Sequence, residues 1–314
     1  MKRYLIAILV LVSVFIDTKA QETSSTGYEF LRIPTSAHSA ALGGNAVSLV
    51  DDDAMMLFVN PAATTNVSDQ SLSFSYTSYI ASTNKLGAAF VKQVGERGTI
   101  AAGVQYLNYG KMTETTADFQ ELGTFSASDI SLQAGYTYLL SDRWSGGVQA
   151  KGIISNYGEY GSFALGVDLG LQYYDEDKGW SVGLVGQNLG GQLDPLYETH
   201  EALPFNLAFG VSKQLDKAPL RLTFSLPDIT HWQYAPLRNL AMGVDIYPIE
   251  QLWLSIGYNS LRAQEMQTGE DNASHGAGLS LGGGLNMKKL KIGVAWGKYH
   301  VAASSLIINA TYAF

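Results

Sequence analysis

The sequence predicts an all-β transmembrane barrel of about fourteen antiparallel strands with an N-terminal plug, or hatch, in its lumen. Three observations carry that expectation. From about Gln70 onward, apolar residues alternate with small or polar ones in segment after segment, the period of a strand whose two faces meet different surroundings. Tight turns between the segments alternate with longer connections, the asymmetry of outer-membrane barrels. The last segment sets Leu306, Ile308, Ala310, Tyr312 and Phe314 against Ile307, Asn309, Thr311 and Ala313. Its apolar face therefore runs out to a terminal aromatic residue, as expected of a closing strand.

Residues 1–20 read as a signal peptide. Lys2 and Arg3 precede an apolar stretch from Tyr4 to Ile16, and Thr18-Lys19-Ala20 is a small-x-small cleavage site. No later segment offers the roughly eighteen continuous apolar residues of a membrane-spanning helix. The chain has no cysteine, which excludes lipoprotein acylation, disulfides, thiolate metal sites and a cysteine nucleophile. A formal net charge of -8 argues against a sequence-independent nucleic-acid binder, which needs a basic face. Hydrophobic residues at 46% with charged residues at 15% suit a barrel but also an ordinary β-protein.

Residues 70–314 make the barrel. Leu72, Phe74, Tyr76 and Ile80 begin the alternation; Ile130, Leu132, Ala134, Tyr136 and Tyr138 continue it, as do Phe163, Leu165, Val167, Leu169 and Leu171. The run Leu203, Phe205, Leu207, Phe209 and Val211 follows, then Leu220 to Leu226, Leu240 to Ile246 and Leu252 to Tyr258. The opposite faces are small and polar, with few charges, which fits a crowded lumen. Tight turns fall at Gly95–Gly98, Leu140–Arg143, Asp175–Gly179, Leu215–Lys217, Pro248–Glu250 and Met287–Lys289. Longer connections fall at Asn108–Phe125, Asn188–Ala202, Pro227–Pro236 and Asn259–Ser274, with short ones near Ala81–Thr83 and Lys298–Val301. An even strand count puts both termini on the periplasmic side and the longer loops at the cell surface.

Residues 21–69 do not alternate and are the expected hatch. Small residues at Ala37, Ala40, Ala41, Gly43 and Gly44 permit close backbone packing. Asp51 to Asp53 are placed to cap a short helix carrying Met55, Met56 and Phe58. Asn60 followed by Pro61 reads as a second helix start, with proline at the first helical position.

The run Phe30-Leu31-x-x-Pro34, then Ser36-Ala37-x-x-Ala40-Ala41-x-Gly43-Gly44, an acidic stretch, and Asn60-Pro61-Ala62 resembles the PorV/PorQ family of type IX secretion barrels. These are related in fold to FadL-type fatty-acid transporters. The resemblance spans essentially the whole mature chain, and the length and compact loops are more similar to the PorQ branch than to the longer PorV branch. The hatch motif is then Phe30, Leu31, Pro34, Ser36, Gly43, Gly44, Asn60 and Pro61. His38 is a departure, since many relatives are expected to carry Arg there, and it puts charge pairing by the hatch at that position in question. The resemblance implies a non-enzymatic role in attaching secreted cargo to the cell surface. PorQ-type members anchor a PorZ-like surface protein beside the other attachment-complex subunits, PorU and PorV. It further implies a bacterial outer-membrane location, with outer-membrane lipid around the wall.

No catalytic set stands out, and no cofactor is expected. His38, His200, His231, His275 and His300 lack metal-ligand spacing, and a solvated loop is the plainer account of His200 between Glu198 and Glu201. Asp51-Asp52-Asp53 lacks the spaced ligands and glycine of a calcium loop. Gly190-Gly191 and Gly282-Gly283-Gly284 lack the strand-to-helix context of a phosphate loop and suit the relief of crowding in a barrel wall. Candidate partner-docking residues are His231, Trp232 and Tyr234, with Tyr109 and Tyr197, all in outer connections. Aromatic side chains both anchor protein interfaces and line membrane boundaries. The competing function is a FadL-like transporter of a hydrophobic ligand, which would need an apolar pocket between hatch and lumen.

Overall fold

Fourteen antiparallel strands close into a single barrel in which β1 is paired with both β2 and β14. The structure is a computed structural model that describes residues 27–80, 82–115, 118, 120–196, 200–230, 239–266, 276–300 and 303–314. The strands are β1 (Ser71–Ser78), β2 (Asn84–Val94), β3 (Gly98–Thr115), β4 (Glu121–Ser141), β5 (Trp144–Tyr157), β6 (Tyr160–Asp175) and β7 (Trp180–Asp194). They continue as β8 (Asn206–Gln214), β9 (Leu220–Leu226), β10 (Ala241–Ile249), β11 (Leu252–Asn259), β12 (Leu279–Asn286), β13 (Leu290–His300) and β14 (Ala303–Ala313). Among the described residues no helix is long and apolar enough to cross a membrane. The proposed signal peptide, residues 1–20, lies outside the described residues.

The alternation seen in sequence is the alternation seen in space. On β1, Ser71, Ser73, Ser75 and Thr77 are buried while Phe74 and Tyr76 are exposed, and the same two-residue period runs through Leu132, Leu165, Ile256 and Ile308 on the outer face. An apolar outer face is what lipid requires, and a closed ring leaves no strand edge unpaired within the hydrocarbon. The seam joins Ser71 to Ala313 through Ser78 to Leu306, and the Phe314 amide donates to the Gln70 carbonyl at 3.2 Å. The terminal strand thus closes the barrel. All six tight turns fall between consecutive strands where the sequence places them.

Four sequence expectations need correction. Leu203 is not a lipid-facing strand residue: β8 starts only at Asn206, and Leu203 is buried with Tyr28, Phe30 and Ile153. Pro204 explains this, because it has no N–H to donate to a ladder. The connection from Asn108 to Phe125 is mostly strand, with β3 and β4 paired out to Thr115 and Glu121. Likewise β7 runs on to Asp194 into the connection assigned to Asn188–Ala202. Finally, the lumen carries more charge than its small polar lining suggests: Lys85, Asp129, Lys151, Asp168 and Asp245 are all buried.

Residues 27–69 pack against inward-facing positions of strands on opposite sides of the ring. Lys85 of β2 donates to the carbonyls of Phe30 and Ile33 at 3.1 and 2.6 Å. Thr137 of β4 and Ser145 of β5 donate to the carbonyls of Pro61 and Ala62 at 2.7 and 2.9 Å. Asn309 of β14 accepts from the Ala37 amide at 2.5 Å. Glycines in the wall make this closeness possible. A Cβ at Gly183 would lie 2.1 Å from the Val47 carbonyl oxygen, and one at Gly257 would lie 2.3 Å from the Gly43 nitrogen.

Candidate functional site

The first half of the hatch motif builds one short helix and its exit. Ser36 caps helix α1 (Ala37–Ala41), its hydroxyl accepting from the Ser39 amide at 3.3 Å. This satisfies one of the donors a helix start leaves open. Gly43 and Gly44 follow at φ 98° and 82°, left-handed values that side chains disfavour. The Gly44 amide returns to the Ser39 carbonyl at 2.9 Å, closing the helix end. The second half builds another turn, Pro61–Asn66. Asn60 caps it by accepting from the Ala62 amide at 3.0 Å, and its side-chain amide donates to the Val47 carbonyl at 2.9 Å. Asp53 caps the turn Ala54–Phe58 in the same way. Phe30 is 2% exposed in the cluster with Leu107 and Leu203.

Helix α1 presents His38 to the wall, where it joins a buried charged cluster. The ring Nδ1 lies 2.7 Å from Asp51 of the hatch, and Nε2 lies 3.1 Å from Asp245 of β10. The imidazole stacks flat on Trp253 of β11, with centroids 3.9 Å apart. Asp245 also accepts from Arg221 Nε at 2.7 Å and from the Ser255 hydroxyl. Arg221, Asp245 and Ser255 are directly opposite one another on β9, β10 and β11, so the wall presents them as one row across three strands. Arg221 Nη1 then reaches back to the hatch, donating to the Val50 carbonyl at 3.0 Å.

Burial alone lowers the proton affinity of His38, but the charges of Asp51 and Asp245, with their hydrogen bonds, outweigh it and hold the imidazole up at about 9. Burial likewise pushes the Asp51 carboxyl up, and the His38 charge reverses this and holds it below its usual range. At neutral pH both ring nitrogens therefore donate to carboxylates. Arg221 Nη2 lies 3.0 Å from Nε2 as well; two donors facing each other repel, and Asp245 between them offsets that. Two cations and two carboxylates sit together with no net charge, the condition under which buried ions are tolerated. The charge pairing that the His38 substitution put in question is thus made by the imidazole.

The cluster is a fastening rather than a nucleophile–base pair, since the Ser255 hydroxyl bonds Asp245 and not the ring. Nor do the three neighbouring carboxylates converge on a cation. Asp51 serves His38, Asp52 takes the Ser68 amide and hydroxyl and pairs with Lys291, and Asp53 caps Met55 and accepts from Thr311. Among the described residues no group of three His, Cys, Asp or Glu side chains is arranged to hold a metal ion.

On the loop side of the hatch lies a cavity of about 510 Å³ lined by Leu31, Ile33, Leu107, Tyr109, Leu261 and Arg262, among others. Arg262 belongs to the loop helix α2 (Ser260–Glu265). It stacks on Tyr299 at 3.9 Å from the ring centre and donates to the Gly43 carbonyl at 2.7 Å. Tyr109 is half-buried, and its hydroxyl donates to Asp129 at 2.5 Å. Of the other docking candidates, His231, Trp232, Tyr234 and Tyr197 lie outside the described residues.

The sequence of residues 16–212 matches the family of the type IX secretion system protein PorV. The chain belongs to that family. Among solved structures, this PorV-family barrel is similar to the monoaromatic hydrocarbon channel CymD, at 13% identity and a TM-score of 0.58, over 90% of this chain and 98% of that one. It is also similar to the Pseudomonas putida toluene transporter TodX, at 14% identity and a TM-score of 0.54, over 87% and 95% of the two chains. A Pseudomonas aeruginosa FadL homologue gives 12% identity and a TM-score of 0.52 over 88% and 98%. At such identities these likenesses show a common fold. No curated protein matches the sequence. This PorV-family chain is an outer-membrane β-barrel.

Sequence reasoning reached the hatch turns but missed the wall side of the fastening. Arg221 sits between Leu220 and Leu222, and Asp245 between Val244 and Ile246. Strand parity alone turns both inward. What parity does not give is which hatch residue stands opposite.

Proposed function

We propose that this chain is a non-enzymatic docking component of the type IX secretion system, a plugged barrel of the PorQ type. Its loops, at the cell surface, hold a PorZ-like partner near PorU and PorV while cargo is processed and attached. The observation that carries this reading is the fastening of the hatch to opposite sides of the ring, with the buried His38 cluster at one of them. A plug held on several sides by buried polar contacts favours a permanent seal and a rigid platform over a gate. Mild-detergent purification of the tagged barrel from outer membranes, with mass spectrometry of bound protein and lipid, tests it. Recovery of a PorZ-like surface protein is the expected result. A bare barrel carrying one fatty-acid-like molecule per chain would overturn it.

The second reading, a FadL-like transporter of a hydrophobic ligand, is favoured by the loop-side cavity and its Leu31, Ile33, Leu107 and Leu261 lining. It also draws on the fold shared with the toluene transporter TodX. Ligand-dependent movement of the hatch would establish it.

A further inference from the structure

The wall is not level at its loop end. Strands β3 and β4 have 18 and 21 residues, about twice the length that crosses the hydrocarbon. β2 supports β3 only as far as Asn108, opposite Asn84, and β5 supports β4 only from Ala127, opposite Tyr157. Beyond those pairs the two strands continue alone as a ribbon, Lys111 opposite Ser126 through Thr115 opposite Glu121. A bulge at Gly110, φ 81°, separates the ribbon from the barrel ladder, and such bulges redirect a strand. Among the described residues no strand pairs with either outer edge of the ribbon.

Edges of this kind are templates for one more strand, and proteins usually cover or blunt them. Apart from its root, where the Gly158 amide donates to the Ser126 carbonyl at 3.1 Å, the ribbon is open among the described residues, and it is signed. Glu114, Asp118, Glu121 and the adjacent Glu159 are exposed, with Lys111 the one cation among them. Leu122, 65% exposed, adds an apolar contact on the β4 edge. A second copy of the chain would bring the same acidic surplus, which disfavours ribbon-to-ribbon pairing. A strand bearing lysine or arginine meets no such penalty.

We infer that the β3–β4 ribbon is a docking edge to which an extended, basic segment of a surface protein adds as a further strand, backbone hydrogen bonds supplying the contact and the carboxylates the selectivity. The inference rests on the docking function proposed above and names its surface. The test places a photoreactive amino acid at Thr113 or Thr124 of the full-length protein in its own outer membrane, and sequences the cross-linked peptides. One surface protein should cross-link, through a segment containing lysine or arginine. The double variant Glu114→Lys/Glu121→Lys should reduce that product on the order of tenfold, with heat-modifiable migration on gels reporting an intact barrel. Cross-links to a second copy or only to lipid would overturn the inference. So would a protein product that survives the charge reversal undiminished. If the partner still co-purifies with the double variant, the ribbon fails while the docking function stands. If nothing co-purifies with the unaltered protein, both fail.

Discussion

His38 of the hatch lies parallel to Trp253 of the wall within 6°, at 3.9 Å between ring centres. The contact couples a helix that precedes the barrel to strands near its C-terminal end, with a carboxylate at each ring nitrogen. Substituting His38→Ala leaves Asp51 without its closest cation and opens a gap on the indole. Removing one partner of a buried ionic cluster costs about 3–5 kcal/mol. Hydrogen exchange of the amides of residues 37–44 should accelerate accordingly while the strand amides stay protected. Unchanged exchange in the helix would show that the cluster does not hold it.

The same contact fixes a pH response. The folded imidazole, at about 9, stands above its ordinary 6.5. Its stabilisation is therefore complete below about 6.5 and is lost as pH rises through about 9. Asp51 has the opposite sign: held below its usual range, its contribution is present above that range and lost as pH falls through the lowered value. Protection of the hatch amides, corrected for intrinsic exchange, should be highest between the carboxylate range and about 6.5 and should decline from there to about 9. His38→Gln should remove the alkaline limb.

Wall glycines opposite the hatch should not tolerate a side chain. Gly183→Ala or Gly257→Ala puts a methyl group 2.1 or 2.3 Å from hatch backbone, and overpacking of this kind costs about 1–3 kcal/mol. The barrel should still insert, with a hatch more open to protease. Gly191→Ala, with nothing within 4 Å, is the control.

Arg262 ties a loop helix to the hatch exit through the Gly43 carbonyl and the face of Tyr299. Arg262→Gln removes the cation–π contact and the charge-assisted hydrogen bond, about 1–3 kcal/mol together. Exchange in residues 260–266 should rise more than exchange in residues 37–41. Equal increases would mean the loop helix is a structural part of the hatch.

Partner binding through the acidic β3–β4 ribbon should weaken with salt. Exposed charges are screened beyond about 8 Å at physiological ionic strength, so co-purification should decline between low salt and about 0.5 M. Binding that ignores salt would point to an apolar surface instead.

Much of the fold was legible because a barrel wall obeys one local rule. Phe74 against Ser75, or Ile308 against Asn309, declares its face by chemistry alone, and Gly95-Glu96-Arg97-Gly98 declares a turn. The caps at Asp53 and Asn60 were legible for the same reason, since each acts within two residues, whereas Ser36 was legible only as part of the hatch motif and its capping role is seen first in the structure. The His38 cluster was not, because its members come from the hatch, β9, β10 and β11, and only the closed ring brings them together. The β3–β4 ribbon hid behind Gly110 and Gly123, which interrupt the apolar alternation while the backbone ladder continues.

The seam between β1 and β14 carries a consequence for how the molecule is made. It joins Ser71 to Ala313, so the ring shuts only when the last strand of the chain arrives. Residues 27–69 run directly into β1, so they are covalently tied to the strand on which the ring closes. Closure therefore depends on the pairing of greatest sequence separation among the described strands, the kind of contact that carries the largest loop-closure cost.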